Sequence, residues 1–253
     1  MGLSQTDGDR LMTVLALSVA GPKGLIELTF ESGETIALVG DVSQLGPEVS
    51  SLLTGSTKVG PKLVIDGVSA TPAARMGREM IRRHLSMLRP VEEAPLNPRW
   101  KVLRILEEPL RALRPEMSKK ARFETIASCL ADLEVDVATL SAMPSALSAS
   151  ERQSVALARA VVAKPSLLAA VDPFARLEVE DQARLANQLL HLVSDSSVAL
   201  LLILSDLAMA AHLADRIAVV SEGAIVEAGS AQDMRLIPRM NYSRMIAAAT
   251  RSF

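Results

Sequence analysis

The sequence predicts a layered α/β domain built on a mainly parallel sheet, with a second, helical region inserted into it. Three observations carry this. Short apolar runs such as Thr35–Val39 (TIALV), Ser166–Val171 (SLLAAV) and Val198–Leu204 alternate with amphipathic helical patterns. Such near-continuous apolar runs suit strands covered on both faces. Between Leu88 and Trp100 the composition shifts to a three-proline stretch, which forbids both continuous helix and central strand. It reads as an exposed loop leading into the insert.

In chain order, Thr13–Val19 and Leu25–Phe30 are predicted strands, separated by a turn at Gly21, Pro22 and Gly24. Thr35–Val39 is a buried strand ending at Gly40. The loop DVSQLG follows, then a helix over about Pro47–Thr54, with Pro47 in the first helical position and Glu48 behind it. Lys62–Ile65 is a short strand before a turn at Asp66-Gly67, and Pro72–Arg83 a helix. Periodicity predicts helices over Trp100–Leu113 and Ser118–Leu133, broken by Pro115, and a connector over Leu140–Ala146. Ser148 caps a helix to about Val162, and Glu151 three residues on completes a capping box. Strand Ser166–Val171, helix Glu178–Leu192, strand Val198–Leu204, helix Leu207–Leu213 and strand Ile217–Val220 complete the alternation. Gly223 turns into Ile225-Val226, and Pro238–Thr250 is read as a helical tail.

Composition narrows function. Of 253 residues, 49% are apolar, enough for a core, while only 2% are aromatic, so packing falls to Leu, Ala, Val and Ile. A net charge of −2 offers no electrostatic footprint for nucleic acid. A single cysteine, Cys129, excludes an intramolecular disulfide and a Cys-rich metal site within this sequence. No apolar run approaches the roughly 20 residues that span a bilayer. The opening MGLSQTDGDR lacks the apolar core of a signal peptide, though Gly2 and Thr6 match the loose myristoylation pattern. A cytoplasmic chain is the expectation.

The segments GETIALVG, LNPRWKVLRILEEPL, LSASERQSVALARAVVAKPSLL, LADRIAVVSEGAIVEAG and NYSRMIAAA stand in a specific order and spacing. In both, the chain resembles the ATP-binding subunits of the peptide/nickel class of ABC importers, over about Leu11 to Ala249. The resemblance implies one ABC-type nucleotide-binding domain over residues 1–253. Its core would span 11–88 and 147–230, with an antiparallel β subdomain. The helical insert would span about 96–146 and the C-terminal helical tail 238–250.

The residues that would handle nucleotide depart from the family pattern. A phosphate loop presents backbone N–H groups and a helix N-terminus to the phosphates, with a Lys on their oxygens and a Ser/Thr on magnesium. Here the aligned stretch runs from Gly40 through Ser43, Leu45, Gly46 and Pro47 to Glu48. Leu45 replaces a glycine, Gly46 the lysine and Pro47 the magnesium-binding hydroxyl, while Glu48 adds a negative charge. An ordinary helix start fits these residues better than a phosphate site. Pro90 stands for the glutamine that senses magnesium and water, Val171 for the magnesium-organising aspartate, Asp172 for the catalytic glutamate and Ser205 for the switch histidine. Asp172 before a proline is the pattern of a turn former. Glu178 takes the place of an aspartate used in dimer contacts. The signature becomes Leu147, Ser148, Ala149, Ser150, Glu151, keeping one functional hydroxyl on Ser148.

The resemblance therefore implies a degenerate subunit with no catalytic residues and no metal or nucleotide of its own. ATP and magnesium would be held only at a composite site shared with an intact homologous ATPase. The chain would lie on the inner face of the cell membrane. It would dock on integral-membrane permease subunits through Pro95, Leu96, Asn97, Pro98, Arg99 and Trp100. A weak ATPase using Asp172, and a free regulatory or decoy homologue, are the alternative readings.

Overall fold

The computed structural model describes residues 15–21, 24–43, 45–47, 62–65, 68–71, 74–222 and 224–236. The calls on Gly2, Thr6, Glu48, the helix residues 48–54 and the tail 238–250 lie outside them.

Two sheets form the scaffold. Strands β1 (Leu15–Gly21), β2 (Gly24–Phe30), β4 (Lys62–Ile65) and β5 (Val68–Ala70) make an antiparallel sheet in the order β2-β1-β4-β5. Six strands make the main sheet. They are β3 (Thr35–Gly40), β6 (Leu85–Leu88), β7 (Leu167–Val171), β8 (Ala199–Leu204), β9 (Arg216–Ser221) and β10 (Ala224–Ser230), in the order β10-β9-β3-β8-β7-β6. All neighbours are parallel except β10 on β9. The predicted mainly parallel sheet and antiparallel β subdomain are both present.

Alternation along β3 shows how the main sheet is covered. Ile36 and Leu38 join an apolar cluster with Phe30, Leu201 and Ile203. Ala37 and Val39, facing the other way, join a second cluster with Leu200 and Leu202. A strand buried at every position needs both faces covered, and both are.

Helix α1 (Arg75–His84) runs directly into edge strand β6. The inserted region comprises α2 (Val102–Leu113) and α3 (Lys119–Asp132), then 3-10 turns at Val137–Ser141 and Pro144–Ala146. A mostly buried Arg122–Glu107 ion pair at 3.1 Å joins α3 to α2. Then come α4 (Ala149–Val161), α5 (Val179–Ser196), α6 (Leu207–Leu213) and α7 (Ala231–Leu236). Gln188 of α5 donates to the Leu133 carbonyl (2.7 Å) and accepts from the Ser154 hydroxyl (3.1 Å). That one buried amide ties the end of the insert to the core. The second apolar cluster is continuous across the same boundary, from Leu106 and Ile126 through Leu157 to Leu200.

The structure adds four features to the sequence reading. Strands β5 and β6 and helix α7 were not anticipated. The helix expected to start at Pro47 starts earlier: residues 42–43 and 45–47 are already helical. Among the described residues, no helix is long and apolar enough to cross a membrane.

Candidate functional site

Parallel register sets one edge of the main sheet. Val39 lies beside Leu204, Val171 beside Ile203 and Leu88 beside Ala170. The residues just past the carboxyl ends of four strands therefore share that edge: Asp41 after β3, Pro90 after β6, Asp172 after β7 and Ser205 after β8. This is the edge where open α/β sheets bind ligands. The fold thus gathers the sequence-predicted positions, and their chemistry can be examined one by one.

At the phosphate-loop position, Gly40 is required by packing. A Cβ there would overlap the Val220 carbonyl oxygen of neighbouring β9. Asp41 then caps the helix. Its Oδ1 accepts from the Ser43 N–H (2.9 Å) and the Ser43 hydroxyl (2.6 Å), and its carbonyl accepts from the Leu45 N–H (3.2 Å). This corrects the expected start at Pro47. Aspartate is among the strongest N-cap residues, so the start signal at Asp41 prevails. Pro47 falls inside the helix instead, on its exposed side.

A phosphate would draw on the free N–H groups of such a helix end. Here a carboxylate of the chain already takes the Ser43 N–H. Leu45 turns inward and is 5% exposed. Gly46 lies against Val171: a Cβ on Gly46 would come 2.9 Å from Val171 Cγ1. Where the resemblance expects a lysine and a magnesium-binding aspartate, Gly46 and Val171 make an apolar contact without room for the first carbon of a longer side chain at 46. These residues do not fit a magnesium–nucleotide.

The remaining positions form a locked turn. Asp172 has φ 44°, in the left-handed region. Its N–H donates to the Ile203 carbonyl (2.9 Å) and its carbonyl accepts from the Ala175 N–H (3.1 Å). Burial, and secondarily the Glu93 charge, push its carboxyl above the usual range. Glu93 is itself paired with Arg89 at 2.6 Å. Pro90 is buried, and its carbonyl accepts from the N–H groups of Glu93 (2.9 Å) and Ala94 (3.0 Å). Phe174 is buried too.

Gln153, which sequence reading passed over, holds these turns together. Its Oε1 accepts from the Val91 N–H (3.0 Å), and its Nε2 donates to the Arg89 and Pro173 carbonyls (both 3.3 Å). An amide placed among the apolar positions of α4 was the signal available. Ser205 is exposed, and Asp206 beside it caps α6 through the Ala208 and Met209 N–H groups.

The stretch from Ser148 to Glu151 forms a helix cap. Ser148 Oγ accepts from the Glu151 N–H (3.1 Å) and Glu151 Oε2 accepts from the Ser148 N–H (2.7 Å), the expected capping box. The backbone hydrogen bond from Ser148, helped by its side chain, holds the Glu151 carboxyl below its ordinary range. Ala149 is half-buried. Ser150 is buried and accepts from Arg184 (3.2 Å).

In the loop after β6, Pro95, Asn97, Pro98 and Arg99 are exposed. Asn97 Oδ1 accepts from the Arg99 N–H (3.0 Å), and Arg104 stacks 4.3 Å above the Trp100 ring. Leu96 departs from the expected contact set: it is buried in the core and anchors the loop from beneath.

Solved structures share this architecture. The cbiO1 protein of Clostridium perfringens, part of the ABC transporter complex cbiONQ, matches 94% of this chain and 99% of its own with a TM-score of 0.74 at 15% identity. An ATP-binding cassette solved as a dimer in a post-hydrolysis state with ADP and Pi matches 87% of this chain and 99% of its own (TM-score 0.67, 19% identity). The fold is that of an ABC ATPase domain.

Among curated proteins, the chain is similar to the ATP-binding subunits of peptide-class ABC transporters. It is 28% identical over 223 residues to an uncharacterized ABC transporter ATP-binding protein of Escherichia coli, covering 88% of this chain and 42% of that protein. It is 27% identical over 226 residues to the dipeptide transport ATP-binding protein DppF of Escherichia coli, covering 89% of this chain and 67% of the relative. It is 28% identical over 230 residues to the oligopeptide transport ATP-binding protein OppF of Lactococcus lactis, covering 88% and 70%. The chain thus spans less than half of the first of these relatives and about two thirds of the others. No protein-family model matches it.

Proposed function

We propose that the chain is a catalytically silent, ATP-binding-type subunit of a peptide-class ABC importer. In this reading it pairs with an intact homologous ATPase and docks on a membrane permease from the cytoplasmic side. The observation that carries it is the Gly46–Val171 contact beneath a helix end already capped by Asp41. In this reading the chain's own Asp41 carboxylate takes a helix N–H group that phosphates would use, and glycine stands at 46 where the resemblance expects a lysine.

Loss on the chemical side contrasts with retention elsewhere. The sheet and helical insert of an ABC ATPase fold are kept, and the loop Pro95–Trp100 presents Pro95, Asn97, Pro98 and Arg99 to solvent, which supports a role in scaffold and docking. The exposed Ser148 supports a composite site, since its hydroxyl could turn from the Glu151 carboxylate to a nucleotide held by a partner's phosphate loop. Glu151, ionised beside it, weakens that contact by repelling phosphate.

Three assays test this. Calorimetric titration of the purified chain with Mg-ATP is expected to show no saturable binding, and phosphate release no turnover. Hydrolysis by the chain alone that Asp172→Asn abolishes would overturn the proposal in favour of a weak ATPase. Co-expression with a homologous intact ATPase and its permease is expected to recover the chain in the membrane-bound complex. Persistence as a lone monomer would favour a free regulatory protein.

A further inference from the structure

A second concavity opens at the opposite edge of the main sheet, before the amino ends of β7 and β8. It is a cleft of 790 Å³ between the insert helix α3 and the core. Its size is that of sites taking ligands of several hundred daltons. The floor is apolar: Leu133, Val161, Val162, Leu192 and Val198 are all buried.

Two opposite charges stand on its wall. Lys164, held at φ 56° just past the end of α4, is exposed, and so is Asp132 at the last turn of α3. Neither has an ion-pair partner among the described residues, and they do not bridge each other. Both act on the thiol of Cys129, which lines the cleft between them: Asp132 favours its proton and Lys164 opposes it. Burial is the larger cause and Asp132 adds to it, so the thiol stays neutral and leaves Lys164 free to meet another anion. His191, exposed on α5, offers a further ring nitrogen, while Glu124 of α3 is already paired with Lys120 at 3.8 Å.

We infer that this cleft is a binding site for a small zwitterion with an apolar body. The ligand's carboxylate would meet Lys164 and its ammonium Asp132, with the apolar part on the floor. The site is separate from the nucleotide edge and does not depend on the reading proposed above. By touching both α3 and the start of β7 and β8, a ligand there would pin the helical insert to the core.

Calorimetric titration of the full chain with trileucine, L-leucine and N-acetyl-trileucine amide tests it. Saturable binding of trileucine or L-leucine is expected, with the better of the two reporting ligand length. The capped peptide, which has no charged ends, is expected to bind at least roughly tenfold more weakly, the loss of about one charge-assisted hydrogen bond. Lys164→Glu and Asp132→Lys should each weaken the zwitterion by a similar factor, and the double exchange should restore part of it. Both positions are exposed, and an unchanged circular-dichroism melt for each variant verifies the fold. Equal binding of capped and free peptide, indifference to both substitutions, or no saturable binding of either zwitterion overturns the inference.

Discussion

At the scale of single residues, the nucleotide edge is governed by one carbon-to-carbon distance. Gly46 sits in a helix, where glycine costs about 1 kcal/mol relative to alanine. Gly46→Ala should therefore stabilise the chain if space allowed. A Cβ 2.9 Å from Val171 Cγ1 says that it does not. Overpacking costs about 1–3 kcal/mol, so the single substitution is expected to destabilise by roughly 1 kcal/mol net. In a Val171→Ala background the same change should stabilise. Urea melts of the four proteins should give a coupling of about 1–2 kcal/mol, and additivity would deny the contact.

Asp172 gives a pH-dependent counterpart. Its folded carboxyl titrates above the ordinary value because burial, then Glu93, disfavours the charge. Its stabilising contribution is thus complete below about pH 3.9 and is lost as pH rises through the raised folded value. At neutral pH the charge is a net cost. Asp172→Asn tolerates the left-handed backbone and removes that cost. Its melting temperature should exceed the parent's at pH 7, with the gap closing in acid. A gap independent of pH would contradict this assignment.

At the scale of elements, the cap of α4 carries the clearest expectation. Ser148→Ala removes the acceptor for the Glu151 N–H and should cost about 1 kcal/mol of stability, read from a denaturant midpoint. Glu151 should then lose the hydroxyl that helps keep its carboxyl ionised, and its titration, followed by NMR, should move up towards the ordinary range. An unmoved Glu151 would mean that the box is not formed in solution. This cap was legible in the sequence because Ser148 and Glu151 are local, three residues apart. So were the strands buried on both faces, whose apolar runs admit no other cover. Strand β6 was not legible. Leu85–Leu88 follows α1 without a turn residue, and its Ser86 and Met87 are only half-buried at the sheet edge. Nor was the early helix at residue 42, where an expected phosphate loop drew attention from a good aspartate cap. Gln153 escaped because its three partners lie 20 to 64 residues away in sequence, and only the folded sheet edge brings them together.

At the scale of the molecule, the boundary between insert and core is the feature to probe, and Cys129 is placed to report on it. Its Sγ lies on α3 and approaches the Ala158 carbonyl of α4 at 3.9 Å. Burial, then Asp132, pushes its thiol up to about 12, against a weaker opposing pull from Lys164. Alkylation requires the thiolate, so at pH 8 the folded chain should react with iodoacetamide more slowly than an unfolded peptide by roughly a thousandfold or more. The apolar cluster runs unbroken from Leu106 and Ile126 of the insert to Leu200 of the sheet. The insert should therefore open with the core and not ahead of it. In low urea, the alkylation rate should then follow the same stability as the global circular-dichroism transition. A thiol that becomes reactive well before that transition would mean that the insert opens by itself. Such independence would give the chain a moving part of its own, whereas a single transition makes insert and sheet one cooperative body.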